Sequence, residues 1–125
     1  MVKEFGFTVE YRPGSLAEVL EALGNERVNV DGVAGIAAQA TGFIRLVTDD
    51  PGKTRNILQS LSVDFEEKEA LVVDLPNHPG ELASLLGQLS SEGIDVLSCY
   101  AGVERNKVVL TVDQVDKAKQ ILRTA

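Results

Sequence analysis

The sequence predicts an α+β chain built from two tandem βαββαβ units, and three observations carry that expectation. The first is an internal repeat, the feature to seek before any other. Shifted by 66 residues, Pro13-Gly14 falls on Pro79-Gly80, and Leu16, Ala17, Leu20 and Leu23 fall on Leu82, Ala83, Leu86 and Leu89. Glu26 falls on Glu92 and Val30 on Val96; later, at a shift of 64, Leu46 meets Leu110, Asp49 meets Asp113, Lys53 meets Lys117 and Ile57-Leu58 meets Ile121-Leu122. The second observation is that each copy alternates strand-like and helix-like patterning in the same order. The third is that the second copy ends two residues after its last helical stretch, at Thr124-Ala125.

In the first copy Phe5, Phe7 and Val9 alternate with Gly6 and Thr8, the period of a half-buried strand. Leu16, Val19, Leu20 and Leu23 then follow helical spacing, with Ser15 and Glu18 placed as a capping box and Gly24-Asn25 as a left-handed stop. Strands are expected from Val28 to Ile36 and from Phe43 to Thr48. Asp50-Pro51 opens a second helix, proline standing where no N–H donor is needed, with Thr54, Ile57, Leu58 and Leu61 as its buried stripe. A fourth strand begins at Val63 to Phe65, and Glu66-Glu67-Lys68-Glu69 reads as the separator. The second copy runs Ala70–Leu75, Glu81–Leu89, Ile94–Gly102, Lys107–Val112 and Asp113–Arg123. The change of shift places a two-residue difference in one loop, Ala38 to Gly42 against Glu104-Arg105-Asn106.

Right-handed crossovers put both helices of such a unit on one face of an antiparallel sheet, which is the ferredoxin-like plait. Two plaits are therefore expected, residues 1–67 and 68–125, the second lacking its last strand. A unit of about 60 residues is marginal alone, so joining of the two into one sheet is expected, with the vacant edge covered by strand exchange or by a second copy.

Composition removes several function classes. The net charge of −7 shows no basic stripe for nucleic acid, and no apolar run reaches the roughly 20 residues of a membrane span. The N-terminus lacks a secretory pattern, so the expected location is cytoplasmic. One cysteine, Cys99, and one histidine, His78, exclude an intrachain disulfide and the usual zinc sets; Cys99 reads as a buried apolar thiol within a strand. Asp49, Asp50 and Asp113 read as helix caps rather than paired catalytic carboxylates. With no nucleophile–base pair, metal cluster or nucleotide loop, neither an enzyme nor a cofactor is expected.

The run Arg12-Pro13-Gly14-Ser15-Leu16-Ala17, with Leu20 and then Arg27-Val28-Asn29-Val30, resembles the ACT-domain family. So does Asn77-His78-Pro79-Gly80-Glu81-Leu82-Ala83, followed by Glu92-Gly93-Ile94-Asp95-Val96. The resemblance covers nearly the whole chain, twice. It implies a regulatory module that binds an amino acid or similar effector, pairs through its second strands as a homodimer, and acts on a metabolic enzyme or regulator. At this length it implies a stand-alone tandem protein. Physical chemistry points to the same turns: Gly14 and Gly80 let backbone approach a ligand, and the helix starts present unpaired N–H groups to a carboxylate.

Serine-binding members of the family place an Asn two residues before the proline and pair it with an Asn from a neighbouring second strand. Here those positions hold Asn77 and Asn29, from different repeats, whereas the reciprocal pair is Tyr11 and Asp95. The resemblance thus implies one better-formed site, Asn77, His78, Pro79, Gly80, Glu81 and Leu82 with Asn29, Val30 and Asp31. A second, weaker or differently selective site would join Arg12, Pro13, Gly14, Ser15 and Leu16 to Asp95, Val96 and Leu97. The plainer reading stays open: Asn also bonds its own backbone in turns, and Glu81 suits a first helical turn for the dipole alone. In the first repeat Arg27 replaces the usual Gly, so a distorted strand start is expected there. A ligand-free interaction protein that uses its sheet edges is the competing function, in line with tandem regulators of glycine cleavage.

Overall fold

The computed structural model describes residues 1–103 and 106–124. The chain divides into two compact units, Val2–Lys68 and Glu69–Ala125, with Met1 counted in the latter. The N-terminal unit runs β1 (Lys3–Glu10), α1 (Ser15–Asn25), β2 (Val30–Ala38), β3 (Thr41–Thr48), α2 (Pro51–Ser60) and β4 (Phe65–Glu69). Its sheet has the order β2-β3-β1-β4, with β3 antiparallel to both β1 and β2. Phe5 lies opposite Leu46 and Phe7 opposite Ile44. Because strand side chains alternate, these four share one face, and they pack with Val19 and Leu23 of α1 and Ile57 and Leu58 of α2. Both helices therefore cover the same face. Phe65 closes the core edge-on to Phe5, centroids 5.6 Å apart.

The C-terminal unit runs β5 (Leu71–Asp74), α3 (Glu81–Ser91), β6 (Val96–Ala101), β7 (Lys107–Val112) and α4 (Val115–Thr124). Its strands are ordered β5-β7-β6, the plait order without the fourth strand. Leu85 and Leu89 of α3, Val108, Leu110 and Val112 of β7, Ile94 and Ala118 form its separate core. The N-terminal unit thus has a four-stranded sheet and the C-terminal unit a three-stranded one. Edge strands are β2 and β4 in the first, β5 and β6 in the second.

Local chemistry departs from expectation in several places. Ser15 and Glu18 form no capping box: Gly14 is the N-cap at φ 86°, the Ser15 hydroxyl donates back to Glu10 O at 2.7 Å, and Glu18 is drawn to Arg12. The stop of α1 is not at Gly24-Asn25, which stay helical. Arg27 takes the left-handed conformation at φ 60°, with Arg27 N–H on Gly24 O and Val28 N–H on Leu23 O, both at 3.0 Å. That is a Schellman closure, and the C-terminal unit repeats it with Gly93 (φ 72°). Arg27 therefore does not distort the strand start.

Strand β2 begins at Val30 rather than Val28, and β6 at Val96 rather than Ile94, because Val28 and Ile94 are spent closing the helices. The Ala38–Gly42 loop contracts to a two-residue turn, Gln39-Ala40, both at positive φ, with Ala38 already opposite Thr41; these angles suit the strand twist of a tight hairpin. Glu104 and Arg105, in its expected counterpart, lie outside the described residues. The charged run Glu66–Glu69 is not a loop but part of β4, where Arg55 holds Glu67 at 2.7 and 2.8 Å, and the boundary between the units falls within it, between Lys68 and Glu69. Leu61 is exposed beyond the end of α2, and Cys99 is exposed on edge strand β6.

Candidate functional site

The two Pro-Gly turns are built alike. Arg12 N–H reaches Glu10 O and His78 N–H reaches Pro76 O, each at 2.9 Å. Gly14 and Gly80 both sit at φ 86°, a conformation that L side chains rarely adopt. The next backbone bonds are Glu18 N–H to Gly14 O and Ser84 N–H to Gly80 O. In each helix two N–H groups of the first turn, Leu16 and Ala17 or Leu82 and Ala83, have no backbone partner among the described residues. They are the donors a helix start offers to an anion.

Side chains make the two turns unequal. At the N-terminal turn Arg12 bridges two carboxylates, Glu18 at 2.8 Å and Glu10 at 3.1 Å. The hydrogen bond from Arg12 holds the Glu18 carboxyl below the usual carboxylate range, and the same pairing, chiefly with Glu18, raises the guanidinium. At the C-terminal turn the aligned residue is His78, and Glu18 aligns with Ser84. Asn77, His78, Pro79 and Gly80 are all exposed. Among the described residues neither the Asn77 amide nor the His78 imidazole has a side-chain hydrogen bond. Glu81 is the first residue of α3 and half-buried, and Leu82 is exposed.

The strand starts also repeat. Asn29 N–H donates to Asp49 Oδ1 at 2.9 Å and Asp95 N–H to Asp113 Oδ1 at 2.9 Å. The returning bonds, Asp49 N–H to Asn29 O and Asp113 N–H to Asp95 O, are both 3.1 Å. These two aspartates therefore staple strand starts and are not helix caps; Asp50 alone caps as expected, accepting from Lys53 N–H at 3.0 Å. The Asn29 side chain is engaged locally, donating to Asp31 Oδ1 at 2.8 Å, as a turn asparagine would be. The ladder register slips between Val30 and Gly32 and again between Val96 and Ser98, so Asp31 and Leu97 are bulged residues. A bulge re-aims its side chain, and both are exposed, as is Val96, while Val30 is half-buried.

Within each unit, then, the structure shows a Gly-led helix start and a bulged strand start, and of the two turns only the C-terminal one, among the described residues, carries an uncommitted polar pair, Asn77 and His78. Sequence reasoning missed the Arg12 bridge, and also the Lys53 and Lys117 ammonium groups, which cap the ends of α1 and α3 through Glu26 O and Glu92 O at 3.2 and 2.7 Å. The alignment of Lys53 with Lys117 was the available signal. No group of three His, Cys, Asp or Glu residues able to hold a metal occurs among the described residues, and no described helix is long and apolar enough to cross a membrane.

A family model described as an ACT domain pair matches residues 1–124. Among solved structures, a protein from Bacteroides thetaiotaomicron is 29% identical, with a TM-score of 0.88, over 99% of this chain and 88% of that one. The ligand-free regulatory subunit of aspartate kinase from Thermus thermophilus has a TM-score of 0.75 at 15% identity, over 98% and 88%. The regulatory subunit of aspartate kinase from Thermus flavus has a TM-score of 0.75 at 14% identity, over 98% and 88%. The two kinase subunits share the fold. No curated protein matches the chain.

Proposed function

The chain belongs to the family of ACT domain pairs, and we propose that it is a non-catalytic regulatory module that binds an amino acid or closely similar effector through the turn Asn77, His78, Pro79, Gly80, Glu81 and Leu82. The observation that carries this reading is the inequality of the two turns. The N-terminal one, Arg12 to Leu16, satisfies its charged groups internally through Arg12, Glu10 and Glu18. The C-terminal one presents the same backbone with an uncommitted amide and imidazole. An effector carboxylate on the free N–H groups of Leu82 and Ala83 would sit at the positive end of α3, worth about 0.3–1 kcal/mol at an exposed site. Asn77 and His78 would supply the orienting polar contacts. Asn29, Val30 and Asp31 at the strand start of the N-terminal unit, and Asp95, Val96 and Leu97 at that of the C-terminal unit, are proposed as further effector contacts.

The test is a thermal-shift screen of the full chain with the common amino acids. A bound ligand at about 100 times its Kd stabilises by about 2.7 kcal/mol. One or two amino acids should raise Tm, and Asn77→Ala should abolish the response while Tyr11→Ala leaves it. Equal responses from Asn77→Ala and the parent would overturn the assignment.

A second reading rests on the edges. Beyond Asp31, β2 (Gly-Val-Ala-Gly-Ile-Ala-Ala) carries neither charge nor proline, and neither does β6 (Val-Leu-Ser-Cys-Tyr-Ala). Edge strands without such protection invite pairing. In this reading the chain forms a homodimer, or holds a metabolic enzyme or regulator, through β2 or β6 without an effector. Failure of every amino acid to shift Tm, together with loss of association in Ala34→Lys, would favour it.

A further inference from the structure

The face of the N-terminal sheet opposite α1 and α2 holds a difference between the repeats that the turns do not explain. Gly6 stands opposite Arg45, where the C-terminal unit has Val72 opposite Val109. Paired β-branched residues suit a strand interior, whereas glycine weakens it and marks a close approach. Arg45 makes that approach. A Cβ at position 6 would stand 2.7 Å from Arg45 Nη1 and 3.1 Å from Cζ, so the guanidinium lies against the Gly6 backbone. Its Nη1 donates to Ile44 O at 3.2 Å, and its Nε is 3.6 Å from a carboxylate oxygen of buried Glu4. Nη2 forms no hydrogen bond among the described residues.

A role confined to neutralising Glu4 explains neither the 3.6 Å separation, long for a hydrogen bond, nor the uncommitted nitrogen. The guanidinium lines a groove of about 370 Å³ together with Thr8, Phe43, Asp64 and Glu66. Phe43 is 42% exposed although its neighbours in the ladder are ordered strand. Glu66 is 3.4 Å from Lys68, whereas Asp64 has no ion-pair partner among the described residues. The groove therefore combines a fork-shaped cation, an aromatic wall and an unpaired carboxylate.

We propose that this groove is a second ligand site, for a small zwitterion with an apolar body: its carboxylate on Arg45, its body against Phe43 and its cationic group towards Asp64. Arginine suits the first role because its planar fork matches a carboxylate in two parallel bonds. Dicarboxylates are disfavoured by the acidic rim, and simple amines by Arg45. The site is independent of the Asn77 turn and uses none of its residues.

The experiment follows the side-chain Nε–Hε signal of Arg45 in isotope-labelled full chain, assigned with Arg45→Lys, during titration with L-phenylalanine, 3-phenylpropanoate and phenethylamine. L-phenylalanine should give a saturable shift at that signal, and each half-molecule should bind about tenfold more weakly or worse, as loss of one charged hydrogen-bonded contact predicts. Gly6→Val with Arg45→Val, the pair the C-terminal unit already uses, should remove binding. Phe43→Ala, at an exposed position, should weaken it and decides the matter if the double variant does not fold. Asn77→Ala should leave the Arg45 shift unchanged, which separates this site from the effector turn. No saturable shift at Arg45, an equal response to phenethylamine, or full binding in Phe43→Ala would overturn the proposal.

Discussion

Asp49 and Asn29, twenty residues apart, hold each other by two hydrogen bonds: the Asn29 N–H on the Asp49 carboxylate at 2.9 Å and the Asp49 N–H on Asn29 O at 3.1 Å. Asp113 and Asp95 repeat the pair at the same distances. The arrangement fixes where each second strand leaves its helix. Replacing the acceptor leaves a backbone N–H to find water. Asp49→Ala and Asp113→Ala should each cost about 1–2 kcal/mol, measured by urea unfolding, with Asp49→Asn costing less because an acceptor oxygen remains.

Arg27 and Gly93 do the same work with unequal strain. An L residue in the left-handed region costs about 1–2 kcal/mol, partly offset because glycine gains unfolded-state entropy. Arg27→Gly should therefore stabilise the chain by about 0.5–1 kcal/mol, and Gly93→Arg should destabilise it by a similar amount or more. A shift of the urea midpoint in the same direction for both would contradict this.

Thr48 and Thr54 share a buried hydroxyl hydrogen bond of 2.7 Å, where the C-terminal unit has Val112 and Ala118, both buried. Each hydroxyl also meets the Asp50 backbone, Thr54 donating to Asp50 O at 2.9 Å and Thr48 accepting from Asp50 N–H at 3.3 Å. Removing one hydroxyl leaves the other short of one partner, costing about 1–3 kcal/mol, and removing both relieves that but takes a partner from Asp50. Thr54→Ala alone should be clearly destabilising, and adding Thr48→Val should recover part of the loss. A double-mutant cycle with zero coupling would show that the hydroxyls act separately.

Arg55 clasps Glu67 with two hydrogen bonds, which hold the Glu67 carboxyl below its ordinary value. A carboxylate depressed in the folded state contributes stability in full above its unfolded value of about 4.3. That contribution is lost as pH falls through the lower folded value. Glu67→Gln should therefore be less stable than the parent at pH 7, with the gap closing below about pH 4, read as urea midpoints at the two pH values.

The two plait-like units and the missing fourth strand of the second were legible because strand alternation at Phe5, Phe7 and Val9 and helical spacing at Leu16 to Leu23 appear twice in register. What was not legible turned on competition for single groups. Ser15 and Glu18 have the spacing of a capping box, but Arg12 outbids the backbone for Glu18, and spacing alone does not reveal a guanidinium's choice. Asp49 looks like a cap beside Asp50, yet its partner lies twenty residues earlier in the chain. Arg27 broke the glycine pattern without breaking the geometry, because a Schellman closure tolerates an L residue at moderate cost. Cys99 sits in an apolar strand opposite the core residue Leu110, but β6 is an edge strand and its thiol stays exposed there, which a one-dimensional pattern does not distinguish from the core. The Gly6–Arg45 pairing was invisible for a different reason: it needs the register of β1 on β3.

Strand β2 has a further consequence in its smallness. Gly32, Ala34, Gly35, Ala37 and Ala38 offer a neighbouring strand few side-chain landmarks, and strands of this kind fix their alignment weakly. If copies pair along β2, as the second reading proposes, they can slide by two residues with the same face still turned inward. In such a pairing the spacing would be set by the few bulky positions, Val33 and Ile36, rather than by the backbone ladder, and enlarging Ala34 would narrow the alignments available.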